Sequence, residues 1–346
     1  MRKTYTSIDI AKFLLSLLIV VLHLNPFGEQ FGWVRFPITR IAVPVFFMIS
    51  SFLLFIKMTD VADSGEKKHI IFRFVKRNLQ LYLAWFIVLL PLTVYNGEYL
   101  QNGFGYFLKD IMPRLFLGST FSASWYIMAL IIGTLVTFYL SKYIKNAGVL
   151  TVGVLLYTVC CLATNYRCFL QESNIIVSFL NFYPTNIYLS FPASIVWISI
   201  GKIVAEHLEI LKEIQLSKKL IATGIGLILL FAEHFVISGY NLSNANDCYF
   251  ALLLLAPVLF SVILSVDCKQ SVFAKKLRII STVMYCSHLA AGQVLGFLLE
   301  KLGFDTKTVF GASIVFVLAV VCCSGLALLI DRLKKYRYLN WLQYFQ

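Results

Sequence analysis

The chain has 346 residues, of which 59% are hydrophobic and only 14% are charged. Soluble globular proteins have about 45–50% apolar and about 25% charged residues, so this composition excludes a soluble enzyme, a disordered chain and a disulfide-rich secreted scaffold. A polytopic membrane protein remains. The formal net charge of +13 is then expected to lie in loops on one side of the membrane.

A membrane-spanning helix needs about 20 mostly apolar residues, and ten stretches of this chain meet that requirement. The predicted spans are residues 8–26, 39–57, 78–96, 120–140, 147–165, 186–205, 218–237, 248–266, 279–299 and 308–331. The seventh has the weakest pattern, because Glu233 and His234 interrupt its outer end. The sequence therefore predicts an all-α bundle of about ten membrane helices that forms a single domain over residues 1–346.

The basic residues predict the orientation of this bundle. If Arg2 and Lys3 are cytoplasmic, the loops that follow the even-numbered spans carry most of the lysines and arginines. These basic loops are residues 67–77, 142–145, 212–219, 275–278 and 332–337. Cytoplasmic loops are enriched in Lys and Arg, so both termini are expected in the cytoplasm, and the positive charge needs no nucleic acid to explain it. The segment Asn25–Phe27 lacks the small residues of a cleavage site, so the first span is expected to remain uncleaved.

The first span contains ionisable residues that are unfavourable inside a membrane. Asp or Lys at the centre of a span costs about 2.5–3.5 kcal/mol on insertion scales, which makes Asp9, Lys12 and His23 functional candidates. Lys12 and His23 are eleven residues apart, so they share one helix face, with His23 about 16 Å further along the axis. Asp9 lies one turn before Lys12 and can pair with it. The alternative is a lysine that reaches the interface and a histidine bonded to a neighbouring helix.

The ninth span carries a second polar stripe. Ser281, Tyr285, His288 and Gly292 follow the spacing of one helix face, and His288 is predicted at a depth similar to that of His23. An imidazole can take a proton from a hydroxyl and return it, so two histidines at matched depth indicate an active site. A hydrogen bond between helices is the structural alternative.

Basic residues also lead into the third span. Arg73 and Arg77 are one turn apart on a predicted helix, with Lys76 beside them, and two guanidinium groups in this arrangement can bind a phosphate. Simple anchoring at the cytoplasmic surface is the alternative. The chain has no Walker loop, G-x-S-x-G elbow, HExxH motif or dinucleotide fingerprint. We therefore expect no metal and no prosthetic group.

Taken together, these segments resemble the acyltransferase 3 family of integral membrane acyltransferases. The matching segments are, in chain order, Asp9–Lys12 with His23, Arg40–Ser50, Arg73–Tyr82, Ser124–Leu130 and Met284–His288. Lys12 stands where arginine is commoner in the family, which keeps the charge but loses planar bidentate recognition. Ser51 stands where glycine is usual.

The resemblance implies a multi-pass enzyme of the bacterial inner membrane. Such an enzyme takes an acyl group, usually acetyl from acetyl-CoA, and passes it to a hydroxyl of a surface glycan or a lipid-linked sugar. Some members carry an additional extracytoplasmic SGNH hydrolase-like domain. This chain ends shortly after its last predicted span, so we expect it to act alone or with a separate extracytoplasmic transferase.

The resemblance and the polar stripes together suggest roles for individual residues. His23 is expected to act as general base or to carry the acyl group transiently, supported by Lys12, Asp9 and His288. The phosphates of acyl-CoA are assigned to Arg73, Lys76 and Arg77, and acceptor binding to Trp125, Tyr126, Tyr285 and Arg40.

Three other functions are compatible with the sequence. A transporter or flippase for a sugar or a polyprenyl-linked intermediate would also bury Lys, Asp and His, although the sequence shows no pair of broken helices in repeat positions, the usual pointer to alternating access. A membrane-bound O-acyltransferase of the other polytopic family would need a longer chain and a different His/Asn arrangement. An inert structural protein would enclose no cavity beside its polar stripes.

Overall fold

In the computed structural model of the protein, which describes residues 5–240 and 246–346, every regular element is a helix. The α-helices are α1 (Thr6–Leu24), α2 (Gly32–Arg40), α3 (Ala42–Phe55), α4 (Ser64–Asn96), α5 (Tyr99–Asn102), α6 (Phe104–Leu117), α7 (Trp125–Leu140), α8 (Asn146–Ala163), α9 (Ile175–Phe182), α10 (Ile195–Glu206), α11 (Leu208–Glu213), α12 (Leu216–Gly239), α13 (Leu252–Ser265), α14 (Val272–Lys301) and α15 (Val309–Leu333). The all-α prediction is confirmed. Arg2 and Lys3, on which the predicted orientation partly depends, lie outside the described residues.

Several of these helices have the length and apolarity needed to cross a membrane. Within the described residues there are seven such stretches, namely Thr6–Leu24, Glu29–Phe55, Ser64–Asn96, Asn146–Ala163, Leu216–Gly239, Val272–Lys301 and Val309–Leu333. The fourth and eighth predicted spans correspond to shorter apolar helices, α7 with 16 residues and α13 with 14. The protein is therefore a multi-pass membrane protein, while the count of ten spans and the cytoplasmic position of the termini stay predictions.

The sixth predicted span, residues 186–205, is not a continuous helix. Residues 187–189 and 191–193 form two short 3₁₀ turns, and α10 begins only at Ile195. Pro192 explains the break, because it has no N–H to bond to the carbonyl of Tyr188 and its ring would clash with that carbonyl in a continuous helix. The chain is extended at Ser190, with φ −145° and ψ 178°, between the two 3₁₀ turns. The eighth span is also shorter than predicted, since α13 begins at Leu252.

The polar pair that weakens the seventh predicted span is bonded to the start of the next helix. The carboxylate of Glu233 accepts hydrogen bonds from the backbone N–H groups of Phe250 and Ala251, both at 2.7 Å. His234 is buried, and its Nδ1 lies 2.9 Å from the hydroxyl of Tyr249. Because both polar side chains have partners, α12 continues through them to Gly239.

Helix α3 lies at the centre of the bundle. In the most apolar window of the stretch Glu29–Phe55, which ends with α3, 72% of the residues are buried, against 17–39% in the other six stretches. Helix α10 packs along α3 at Gly201, where an added Cβ would collide with Ser51 Oγ and lie 2.6 Å from the carbonyl oxygen of Met48. Ser51 thus faces a glycine on the neighbouring helix, and this glycine allows the close contact between the two helices.

Helices α1 and α14 lie side by side and run in the same direction. Near their N-terminal ends, Asp9 Oδ1 is 3.9 Å from Arg278 Nε. At the C-terminal end of α1, Leu24 packs so closely on Gly292 of α14 that an added Cβ would be 2.5 Å from its side chain. The two helices that carry the polar stripes are therefore in contact at both ends of α1.

Replacing Gly201 with alanine is expected to lower the thermal midpoint of the detergent-solubilised protein. Overpacking a core costs about 1–3 kcal/mol, and here the added carbon meets a backbone oxygen as well as a side chain. Gly224→Ala in α12 is the matched control, because no atom lies within 4 Å of its added Cβ. Unfolding is followed by tryptophan fluorescence, and equal midpoints for the two variants would contradict this helix contact.

Candidate active site

A cavity of about 460 Å³ lies at the end of the bundle where both ends of the described chain meet, since Tyr5 and Gln346 line it together. Its charged lining residues are Asp9, Lys12, Lys57, Arg77 and Arg278. We call it the basic cavity. Four cations and one carboxylate give it a positive potential that attracts anions.

The predicted pair between Asp9 and Lys12 does not form. Among the described residues, the ion pair of Asp9 is with Arg278, across the contact between α1 and α14. The side chain of Arg278 is 53% exposed, so this contact contributes at most about 1 kcal/mol. Its effect is to hold the Arg278 guanidinium beside Lys12, on the same cavity wall.

The predicted phosphate-binding residues lie on the long N-terminal part of α4. The carboxylate of Asp63 caps this helix by accepting the backbone N–H of Glu66 at 2.7 Å, and this hydrogen bond lowers the pKa of Asp63 below its ordinary value. Arg77 lines the basic cavity. Arg73 and Lys76 are exposed on the same helix but do not line that cavity.

Three aromatic rings form the deep wall of the basic cavity. Phe46, Tyr126 and Tyr285 have ring centroids 5.4–6.4 Å apart, and we call them the aromatic layer. The hydroxyl groups of the two tyrosines are hydrogen-bonded to a neighbouring helix and a loop, since Tyr126 Oη lies 3.0 Å from Ser50 Oγ and Tyr285 donates to the carbonyl of Ala123. These bonds fix the rings across the bundle between the basic cavity and the next part of α14.

His23 and His288 lie together one helical turn beyond the aromatic layer. Their ring centroids are 5.3 Å apart, and that of His288 is 6.4 Å from the ring of Tyr285. The His23 side chain is exposed, so it reaches accessible space, whereas His288 is fully buried. The matched depth predicted from the sequence is therefore present in the structure.

The hydrogen bonds of His288 decide which of its nitrogens can accept a proton. Its Nδ1 lies 3.0 Å from the carbonyl oxygens of both Met284 and Tyr285. Carbonyl oxygens only accept hydrogen bonds, so Nδ1 carries the proton and the lone pair is on Nε2. Within the described residues, this buried Nε2 has no hydrogen-bond partner.

A second cavity, of about 470 Å³, lies at the opposite end of α1 and α14. Leu24 and Leu289, which directly follow the two histidines, line it. The side-chain amides of Asn96 and Gln293, from α4 and α14, lie at its exposed edge and are hydrogen-bonded to each other. We call it the amide-rimmed cavity. Along α1 and α14 the histidine pair thus lies between the residues that line the two cavities, but neither imidazole lines either cavity.

The four predicted acceptor-binding residues do not share one site. Tyr126 and Tyr285 line the basic cavity, whereas Arg40 and Trp125 line a separate cavity of only about 50 Å³. Arg40 is 2.6 Å from the carboxylate of Asp247 and donates from Nε to the carbonyl of Asn246 at 2.8 Å. These contacts tie the junction of α2 and α3 to the segment before α13.

Sequence reasoning missed Arg278 and Lys57 as cavity residues, because both were counted as ordinary loop or edge cations. A signal for Arg278 exists. It precedes Tyr285 by seven residues, which places both on one face of α14. Lys57 lies after the end of α3 at Phe55, so helical spacing does not predict where its side chain lies.

Comparison with known proteins identifies the family. The sequence model of a family described as an acyltransferase domain, the acyltransferase 3 family, matches residues 5–328. The chain belongs to this family. It is therefore a membrane acyltransferase in general terms, with several apolar helices that fit a multi-pass architecture.

Two curated relatives carry other names. An amino-acid racemase of Enterococcus faecalis is 29% identical over 162 residues, which are 46% of this chain and 22% of that protein. A serine/alanine racemase of Enterococcus gallinarum is 25% identical over 269 residues, which are 74% of this chain and 37% of that protein. The matched region thus spans well under half the length of either relative. No solved structure matches the chain.

Replacing Arg40 with leucine is expected to destabilise the protein by about 3 kcal/mol. The change leaves Asp247, whose side chain is only 15% exposed, without its cation, and breaking a buried pair costs about 3–5 kcal/mol. The double variant Arg40→Leu/Asp247→Leu should recover most of the thermal midpoint. Arg114→Leu is the control, since its pair with Asp110 is more exposed than the pair of Arg40 with Asp247. A normal midpoint with lost acyl transfer in Arg40→Leu would instead support the predicted acceptor role.

Proposed function

We propose that the protein transfers an acyl group, acetyl in the simplest case, from acyl-CoA in the basic cavity to a hydroxyl of a cell-surface glycan or lipid-linked sugar. The position of the histidine pair between two cavities, of which one is strongly cationic, supports this proposal. The family supplies the reaction type. We further propose that the protein lies in the bacterial inner membrane. It transfers the acyl group either directly or through a separate extracytoplasmic transferase.

The basic cavity is suited to the phosphates of coenzyme A. Arg77 and Arg278 can each donate two parallel hydrogen bonds to a phosphate, and Lys12 adds a third cation on the same wall. Arg73 lies one turn before Arg77 and, with Lys76, would receive a phosphate that remains outside the cavity. Asp9 keeps Arg278 in position through their contact between helices.

The chemistry is a transfer from sulfur to oxygen. The pantetheine arm would extend past the aromatic layer and bring the thioester to His23, where the acceptor hydroxyl gives its proton to the imidazole as its oxygen attacks the thioester carbonyl. The carbon–sulfur bond then breaks, and the thiolate of coenzyme A takes the proton from the imidazolium. His288 supplies a second neutral base, Nε2, beside His23. In a two-step variant, the imidazole of His23 attacks the thioester itself, the carbon–sulfur bond breaks, and coenzyme A leaves as the thiol with the imidazole proton. The acceptor hydroxyl then takes the acyl group from the imidazole and returns its proton to it.

A transporter is a second candidate, because the structure contains interrupted spans where continuous helices were predicted. Residues 187–193 and the segment before Leu252 are irregular where helices were predicted. Substrate and ion sites of many transporters are formed at such discontinuous helices. Movement of a sugar or polyprenyl-linked intermediate across proteoliposomes, with no covalent product, would favour this function over acyl transfer.

Replacing His23 with alanine is expected to reduce acyl transfer at least about 100-fold, because positioned general bases contribute 10²–10⁴-fold. Radiolabelled acetyl-CoA is supplied to the purified protein in nanodiscs with extracted surface glycans, and the acylated glycans are identified by mass spectrometry. His207→Ala is the control, since His207 is exposed between α10 and α11. Full transfer by His23→Ala would exclude the catalytic assignment.

Replacing Arg77 or Arg278 with alanine is expected to raise the KM for acetyl-CoA about tenfold with little change in kcat. Each variant removes a charge-assisted hydrogen bond, worth about 1.5–3 kcal/mol, from donor binding alone. The wild-type KM should also rise with ionic strength, as salt screens the cationic cavity. Lys145→Ala, an exposed lysine before α8, is the control. A KM in Arg77→Ala equal to that of the control would contradict donor binding here.

A further inference from the structure

The side-chain amides of Asn96 and Gln293, at the edge of the amide-rimmed cavity, bond to each other, and we call them the amide pair. Asn96 Nδ2 donates to Gln293 Oε1 at 3.0 Å, and Gln293 Nε2 donates to Asn96 Oδ1 at 2.7 Å. In the part of the chain that the structure describes, these are the hydrogen bonds that join α4 to α14. Both side chains are exposed, so water competes for them and the pair separates easily.

The amide-rimmed cavity is close to electrically neutral, in contrast to the basic cavity. Its one charged lining residue within the described chain is Arg114, which forms an ion pair with Asp110 at 3.0 Å. Tyr99 also donates to Asp110, and burial raises the pKa of Tyr99 to about 12, so the phenol stays protonated. The other polar lining side chains are the hydroxyls of Thr93, Ser119, Thr120 and Ser122.

We propose that Asn96 and Gln293 recognise the acceptor and that the acceptor group they bind is uncharged and rich in hydroxyls. This inference rests on the proposed function. Each amide has both a donor and an acceptor atom, which match the two hydrogen-bonding abilities of a hydroxyl group. When the acceptor enters between α4 and α14, its hydroxyls replace the bonds that the two amides make to each other.

The charges of the cavity argue against the other acceptor classes. A phosphorylated or carboxylated acceptor would find one cation among the described lining residues, Arg114, and this guanidinium is already paired with Asp110. A zwitterionic amino acid, which the names of the racemase relatives bring to mind, needs an anion and a cation that are both available. A site that hydrogen-bonds hydroxyl groups discriminates strongly against ligands that cannot reproduce those bonds.

The test measures acceptor binding in the absence of any acyl donor. Saturation-transfer NMR on the protein in nanodiscs is applied to methyl glycosides of glucose, galactose and N-acetylglucosamine, and to N-acetylglucosamine 6-phosphate and L-serine. At least one methyl glycoside should bind, and more tightly than the phosphate or serine. Asn96→Leu and Gln293→Leu should each raise its Kd about tenfold, the loss expected for one or two hydrogen bonds.

Two control variants separate recognition from folding. The exchange variant Asn96→Gln/Gln293→Asn keeps one amide on each helix and should retain binding. Asn102→Leu removes an exposed amide whose bond is to the backbone of Glu98, and it should have no effect. Thermal midpoints of all variants are measured alongside.

Three results would overturn the inference: no binding of any methyl glycoside, equal Kd values in the wild type and both leucine variants, or tighter binding of the phosphate or serine. The outcome is separable from that of the proposed function. Glycoside binding that depends on the amide pair, in a preparation that transfers no acetyl group, would support the acceptor site and count against acetyl-CoA as the donor.

Discussion

The parallel pairing of α1 with α14 is the constraint on which the candidate site depends. Each helix carries one polar stripe, and the pairing turns both stripes toward a common interface. A single register then places Asp9 beside Arg278 at one end and His23 beside His288 at the other. A slip of one helical turn would move the rings about 5.4 Å apart along the axis. The close packing of Leu24 on Gly292 opposes such a slip.

The two cavities differ in electrostatics more than in size. Their volumes are about 460 and 470 Å³, but one has an excess of cations and the other is nearly neutral. The aromatic layer separates them and lies close to the histidines. A polyanionic donor would therefore bind at one end of the bundle and an uncharged acceptor at the other. The two would meet only where the narrow pantetheine arm of the donor reaches past the aromatic layer.

The sequence predicts what hydropathy and helical periodicity determine locally. The helix positions and the matched depth of His23 and His288 are of this kind. Contacts between distant segments are not, so the partner of Asp9 and the pairing of Arg40 with Asp247 required the structure. Two differences between the predictions and the structure follow from local rules. Pro192 indicates the break before α10. Trp125 and Tyr126 are about 100° apart on α7, so their side chains are not expected to face one cavity.

The hydrogen bonds of Glu233 have a consequence for biosynthesis. Its carboxylate caps the start of α13 while its own backbone belongs to α12. If α12 entered the bilayer alone, it would carry a polar side chain into hydrocarbon with nothing to solvate it. The helices α12 and α13 are therefore expected to leave the translocon together as a hairpin. Glu233 weakens the hydropathy signal of α12, but it also couples the insertion of α12 to that of α13.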